Sequence, residues 1–352
     1  MELRSIDGWR KIAAMCSQPL GGDGMTLVRV ALAVGLTLGV LVAPLDAAEQ
    51  PARKVYRIGY IGNFPPTPST AFLLSAFTNG LREYGYVEGR NLTIEFRWAN
   101  GHEERYPELV RDLVHADVQL VVTAQTPAAL ALKEGAKILP VVLLGPSHPV
   151  EAGLVQSLAR PGGTITGLSN QAGDLDAKIL QLAREFVPKL SRLAVLWTPA
   201  NQGSVLSLET VQALASKEGI SVLPVSARSR DDLESVFSAL TRERSDVLYV
   251  HGTYLSQAVP IGQLAIRNRL PTISVFTSMT RDGLLISYSP DFAGIFRRGA
   301  YYVDRIFKDT KPADLPVEQP TKFDLAINMR TTKALGLVMP PSLLLRADEV
   351  IE

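Results

Sequence analysis

Residues 120–146 read LVVTAQTPAALALKEGAKILPVVLLGP, and this stretch decides the fold. Leu120 to Ala124 is a short apolar run that reads as a strand. Pro127 to Glu134 reads as a helix, and Ile138 to Leu144 as a second strand. Strands that are apolar throughout are buried on both faces, which is the habit of a parallel sheet with helices packed above and below it.

The same alternation extends outward in both directions. Upstream, Tyr56 to Gly62 (YRIGYIG) reads as a buried strand and Ala71 to Tyr84 as a helix stopped by Gly85. Leu92 to Trp98 alternates like a strand. Glu103 to Val114 is helical, with Tyr106, Leu109, Val110, Leu113 and Val114 on one face. Downstream, Pro149 to Leu158 reads as a helix ended by Pro161-Gly162-Gly163.

The pattern then starts again. Helices are expected over Leu175–Phe186, Val205–Lys217, Asp231–Leu240 (capped by Ser229), Ser256–Asn268 and Phe292–Phe307. Strands are expected over Leu193–Trp197, Val222–Val225, Val247–Val250, Thr272–Phe276 and Leu284–Ser287. Phe323–Ile327 and Thr331–Leu337 add a last strand and helix. About four strands precede Pro161 and about five follow Arg192, so the expected fold class is α/β with two lobes of similar size.

Composition narrows the class further. The chain has 352 residues, 46% of them hydrophobic and 20% charged, as a globular protein with a core of its own requires. A net charge of +1 without a long basic run gives no basis for binding nucleic acid or an anionic membrane surface. Cys16 is the single cysteine, so the rest of the chain has no disulfide and no thiolate metal site.

Cys16 falls in a stretch that reads as a leader. The run LVRVALAVGLTLGVLVA, Leu27 to Ala43, is apolar except for Arg29 and follows the basic residues Arg4, Arg10 and Lys11. Small residues, Ala47 and Ala48, stand before the polar Glu49-Gln50. Residues 1–48 therefore read as an export signal, started at Met1 or Met25, with an uncut anchor as the alternative. Export places the remainder in the periplasm.

Signatures of catalysis are missing. There is no GxGxxG after a strand, no GxxxxGK[ST], no HExxH and no GxSxG. His102, His115, His148 and His251 show no metal-ligand spacing, so no metal and no cofactor is expected. Ser147 beside His148 lacks an orienting carboxylate. Asp174 and Asp176 are two residues apart and suit the N-terminus of a helix. His251 ends a strand and belongs either to a cleft or to packing.

Ligands of open parallel sheets bind beyond the carboxyl ends of the strands. Residues there include Asn63, Phe64, Gln125, Thr126, Gly145, Ser147, Thr198, Gly252, Thr253, Tyr254 and Phe276. This set is neutral, rich in hydroxyls and aromatic, and suits a binding wall better than a reaction site. The same residue types are also ordinary turn and cap chemistry.

The sequence also resembles a known family. GPSHPVEAGLVQSLARPGGTITGLS (Gly145–Ser169) resembles a signature of the ABC-transporter substrate-binding family that includes tryptophan- and tyrosine-binding proteins. So do GYVEGRNLTIEFRWA (Gly85–Ala99) and the tail RRGAYYVDRIFKDTKPADLPVEQPTKFDLAINMRTTKALGLVMPPSLLLRADEVIE (Arg297–Glu352). The likeness spans about Val55 to Glu352. Members commonly carry Asp where this chain has His148, and Asn where it has Thr164.

The resemblance implies a two-lobed type I periplasmic binding fold with three crossings, for which Thr164–Asn170, Ser287–Asp291 and Pro316–Lys322 are the candidates. The first lobe would hold 55–165 plus 291–316 and the second 170–288 plus 321–352. It implies a monomeric, non-enzymatic solute-binding component that serves an ABC permease and closes by a hinge on an amino acid or aromatic acid. A sensing lobe for a membrane receptor, or an exported Rossmann-like enzyme, are the rival readings. For an amino-acid-like ligand, Thr126 and Ser147 would take the carboxylate, with Asn170 at the first crossing. Asp291 would take the ammonium, unless it caps the following helix. Phe64, Trp197, Tyr254 and Tyr288 would hold the side chain, unless Trp197 is core.

Overall fold

The computed structural model describes residues 54–68 and 70–352. The expected leader, and Cys16 with it, lies outside the described residues. The described chain builds two sheets. The first has five parallel strands: β1 (Tyr56–Gly62), β2 (Leu92–Trp98), β3 (Leu120–Thr123), β4 (Val141–Leu144) and β5 (Ile165–Leu168). Their order is β2-β1-β3-β4-β5. Every residue of β3 and β4 is buried, because helices cover both faces.

Alternation sorts these strands into two cores. Leu120 and Val122 face one way, with Leu73, Phe77 and Leu81 of α1 (Ala71–Glu83). Val121 faces the other way, with Leu109, Val110 and Leu113 of α2 (Tyr106–His115) and Ala128, Ala129 and Leu132 of α3 (Thr126–Gly135).

The second sheet has seven strands in the order β12-β11-β10-β9-β8-β6-β7. These are β6 (Arg192–Leu196), β7 (Ser221–Val225), β8 (Val247–Val250), β9 (Thr272–Ser274), β10 (Ile286–Pro290), β11 (Phe323–Asn328) and β12 (Glu349–Ile351). Only β10 and β11 pair antiparallel. One face carries α4 (Ala172–Phe186) and α5 (Gln202–Lys217); the other carries α6 (Leu233–Arg242), α7 (Ala258–Arg267) and the short α8 (Thr277–Arg281).

The antiparallel step records a detour. After β10, the helix α9 (Phe292–Phe307) returns to the first sheet and packs beside α1 on Phe77, Leu144 and Leu168. The two helices touch at Gly80, where a Cβ would stand 2.6 Å from the Arg297 carbonyl oxygen. The chain then runs along β5 before entering β11: Thr166 Oγ1 donates to the Leu315 carbonyl at 2.6 Å and Ser169 N to that of Glu318 at 2.9 Å. Two short helices, α10 (Met329–Leu335) and α11 (Pro341–Leu344), precede β12. Three strands of chain thus pass between the sheets side by side: after Leu168, at Asp291 and before Phe323. Asp291 N donates to the Lys322 carbonyl at 3.2 Å, tying the second passage to the third.

Several elements differ from expectation. Residues 149–158 form turns rather than a helix. His148 and Gly153 both take positive φ, 50° and 71°, and each breaks the helical path. Thr164–Asn170 is mostly strand β5, so the passage begins only at Ser169. The helix expected from Asp231 begins at Leu233, and Asp232, not Ser229, closes the turn before it by accepting from Arg228 N and Ser229 N. The strand expected at Leu284 starts two residues later. Among the described residues no helix is long and apolar enough to cross a membrane.

Candidate functional site

A cavity of about 190 Å³ lies at the carboxyl ends of strands from both sheets. The loops after β1, β3 and β4 supply Asn63 and Phe64, Gln125 and Thr126, and Gly145 to Ser147. The loops after β8 and β9 supply His251 to Thr253 and Phe276. Asn170, from the first passage, and Asn201, the N-cap of α5, complete the polar wall. Tyr60, Trp98, Phe292 and Phe296 complete the apolar one.

Eight of the twelve residues singled out from the sequence are therefore brought together: Asn63, Phe64, Gln125, Thr126, Ser147, Asn170, Thr253 and Phe276. Thr126 is buried and its hydroxyl is 3.4 Å from the Ser147 carbonyl. Asn63 Oδ1 accepts from Gly101 N at 2.9 Å, fixing the rim beneath Phe64. Phe276 of the second lobe stacks on Phe292 of α9, ring centres 4.0 Å apart, and so joins the two sides. Gly145 has φ 87°, a turn that glycine makes without strain, and it swings the chain from β4 past Ile295.

The other four residues stand elsewhere, each for a local reason. Asp291 caps α9, its carboxylate accepting from Gly294 N at 2.8 Å. Tyr254 is buried with its hydroxyl 2.8 Å from the Trp197 carbonyl and 3.0 Å from Ala227 N, which pins the loops after β6 and β7 together. Trp197 packs on the core of the second sheet. Tyr288 lies in β10 and stacks on Phe323, ring centres 5.4 Å apart. Further aromatic residues reach the cavity without a signal in the sequence that sets them apart. Phe292 and Phe296 read as the apolar stripe of a helix, and Trp98 as the last residue of an edge strand.

Among the described residues the cavity wall contains no Asp, Glu, Lys or Arg. His251, half-buried, is pushed down to about 4 by burial, so its imidazole is neutral at pH 7. Burial also drives the Tyr60 phenol far above its ordinary value. Two buried or half-buried carboxylates, Asp176 and Glu103, are not part of the lining. Asp176, 1% exposed, accepts from Ser207 Oγ at 2.7 Å and Tyr249 OH at 2.8 Å. It is a buried network centre rather than a helix-end charge. His148 approaches it from the other lobe, Nε2 to Oδ2 3.9 Å. The Glu103 carboxyl is raised by burial, and its Oε2 is buried without a partner among the described residues.

The lobes touch at the N-termini of α3 and α5. A Cβ on Gly203 would come within 3.0 Å of Ser147 Oγ, 3.1 Å from Thr126 Oγ1 and 3.2 Å from Asn201 Oδ1. The hydroxyls and unpaired N–H groups there can hold an oxygen-rich head, and the rings can hold a flat apolar body. Among the described residues no group of three His, Cys, Asp or Glu is placed to hold a metal ion.

Known proteins share this fold. The chain is 25% identical over 288 residues to a tyrosine-binding protein of Clostridioides difficile (strain R20291), covering 81% of this chain and 82% of that one. A conserved domain protein from Vibrio cholerae O1 biovar El Tor has a TM-score of 0.79 at 27% identity, covering 84% of this chain and all of that one. The ABC domain in complex with L-Trp from Streptococcus pneumonia has a TM-score of 0.76 at 27% identity, covering 85% and 100%. Both likenesses place the two sheets in the type I periplasmic binding fold. A family model described as ABC transporter substrate binding protein matches residues 65–351, and the chain belongs to that family.

Proposed function

We propose that the protein captures a small solute between its lobes outside the cytoplasmic membrane and presents it, chemically unaltered, to the permease of an ABC transporter. The observation that carries this reading is the cavity itself. Both lobes contribute to its wall, it sits at the strand ends where such folds bind, and it holds amides, hydroxyls, rings and a neutral imidazole. Two relatives support the solute class: one is a tyrosine-binding protein and one was solved with L-Trp.

In this reading 55–165 with 291–316 moves as one body, and 170–288 with 321–352 as the other. The three adjacent passages form the hinge. The protein works as a monomer, released to the periplasm when the leader is removed. Solute touches both lobes only when they meet, so it favours the closed form. A micromolar affinity corresponds to about −8 kcal/mol.

Small-angle scattering of the purified protein with and without a screened panel of amino and aromatic acids tests this reading. The expected result is a radius of gyration that falls with one member of the panel, while that member is recovered unchanged. Conversion of the compound, or scattering that never changes for any solute, contradicts it. Intact mass of the exported protein reads the leader directly.

A further inference from the structure

Resting on that reading, we infer that the solute is an aromatic carboxylic acid without an ammonium group. Three independent features of the cavity point the same way. The first is charge. A zwitterionic amino acid brings a cation into a closed site, and a buried cation needs a partner. No carboxylate lines the cavity. Asp176 accepts from Ser207 and Tyr249, and Glu103, one of whose oxygens is buried without a partner, does not line the cavity.

The second feature is the field where the lobes meet. The N-terminus of α3, ten residues long, and that of α5, sixteen residues long, converge within contact distance of one another. Each presents the positive end of its dipole and unpaired N–H groups. Between them stands Ser147, 8% exposed, with no partner for its hydroxyl among the described residues, and it lines the cavity. That is a place for a carboxylate. An anionic acceptor able to neutralise an ammonium is absent from the wall among the described residues.

The third feature is the apolar half. Trp98, Tyr60, Phe276, Phe292 and Phe296 line it, with Tyr60 and Trp98 5.4 Å apart and Phe276 flat against Phe292. Rings packed this way accept another ring by stacking or by its edge.

Calorimetry on the purified protein tests the inference with matched pairs: 3-(indol-3-yl)propionate against L-tryptophan, 3-(4-hydroxyphenyl)propionate against L-tyrosine, and tryptamine as the amine alone. Each acid is expected to bind at least tenfold tighter than its amino acid, with no binding of tryptamine. Equal or tighter binding of an amino acid overturns the inference. Asn170→Asp supplies the missing charge: Asn170 lines the cavity, its Oδ1 buried without a partner, and the change is isosteric. This variant should gain at least tenfold for the amino acid and lose affinity for the acid; unchanged preference overturns the inference as well. Silence toward every probe, with native mass spectrometry showing a different co-purified solute, overturns the class but leaves solute binding standing. Silence with no solute found under any condition removes the binding reading itself.

Discussion

Replacing Gly203 by alanine separates what the closed form needs from what folding needs. Gly203 lies in the first turn of α5, where alanine is a better helix former by up to about 1 kcal/mol. That gain applies whether the lobes are apart or together. The cost does not. With the lobes together, the added methyl would overlap Ser147 Oγ outright, and Thr126 and Asn201 block the sideways escapes at 3.1 and 3.2 Å. Overpacking of this kind costs about 1–3 kcal/mol, all of it charged to the closed form. Affinity should fall by about 5- to 150-fold, since about 1.4 kcal/mol is a factor of ten. The melting temperature without ligand should hold or rise. Calorimetry with the tightest-binding acid, scattering for the degree of closure, and a thermal melt read the three quantities. Unchanged affinity would show that the lobes need not meet at Gly203. A fall in melting temperature that matches the loss of affinity would show that the contact belongs to a permanent core, and the hinge argument would fail.

Three further substitutions or conditions check other parts of the structure. Asp291→Ala removes the cap of α9 and should lower stability by about 1 kcal/mol, measured by denaturant unfolding, with affinity unchanged, because the carboxylate serves Gly294 N and does not line the cavity. Gly80→Ala should destabilise by about 1–2 kcal/mol net, because its methyl would meet the Arg297 carbonyl oxygen 2.6 Å away, a backbone atom that cannot swing aside. Stability should also depend on pH through His251. Its folded-state value of about 4 lies below the ordinary value near 6.5, so the unfolded chain takes up the proton first. That contribution is complete above pH 6.5 and is lost as pH falls toward 4, by at most about 3 kcal/mol; His251→Gln should flatten this part of a chemical-denaturation pH profile.

The fold was legible where burial leaves one reading. Leu120–Thr123 and Val141–Leu144 are apolar at every position, and only a strand covered on both faces uses such a run. Ile165–Leu168 was not legible as a strand, because Thr166 and Gly167 interrupt it. Its hydroxyl goes to the Leu315 carbonyl, a partner 149 residues away that no local pattern announces. The site followed the same logic. Loops after parallel strands reach the cavity by topology, so Asn63, Gln125, Ser147 and Thr253 could be found from spacing alone. Tyr254 and Asp291 could not be excluded that way. Whether a phenol or a carboxylate faces a ligand depends on whether a nearby backbone group has already claimed it, and here one has. Trp98 and Phe292 fail in the opposite direction: an aromatic residue reads as core until a gap beside it is seen.

The contacts between the lobes differ in kind between the hinge and the mouth, and that difference fixes how closing can work. At the hinge the passages are tied by backbone hydrogen bonds, Ser169 N to Glu318 and Asp291 N to Lys322, so the segments turn together rather than slide. Elsewhere the lobes are bridged by the Phe276–Phe292 stack, the touch at Gly203 and the approach of His148 to Asp176 at 3.9 Å, beyond hydrogen-bond range. Each is worth little, and each is lost or remade in water at small cost. The Asp176 carboxylate is satisfied from within its own lobe by Ser207 and Tyr249, so opening does not strand it. In the proposed hinge mechanism, a mouth built this way would leave the open and closed forms of the empty protein close in free energy. The few kcal/mol that decide between them must then come from what sits in the cavity, which is the condition under which a solute can control the shape a permease reads.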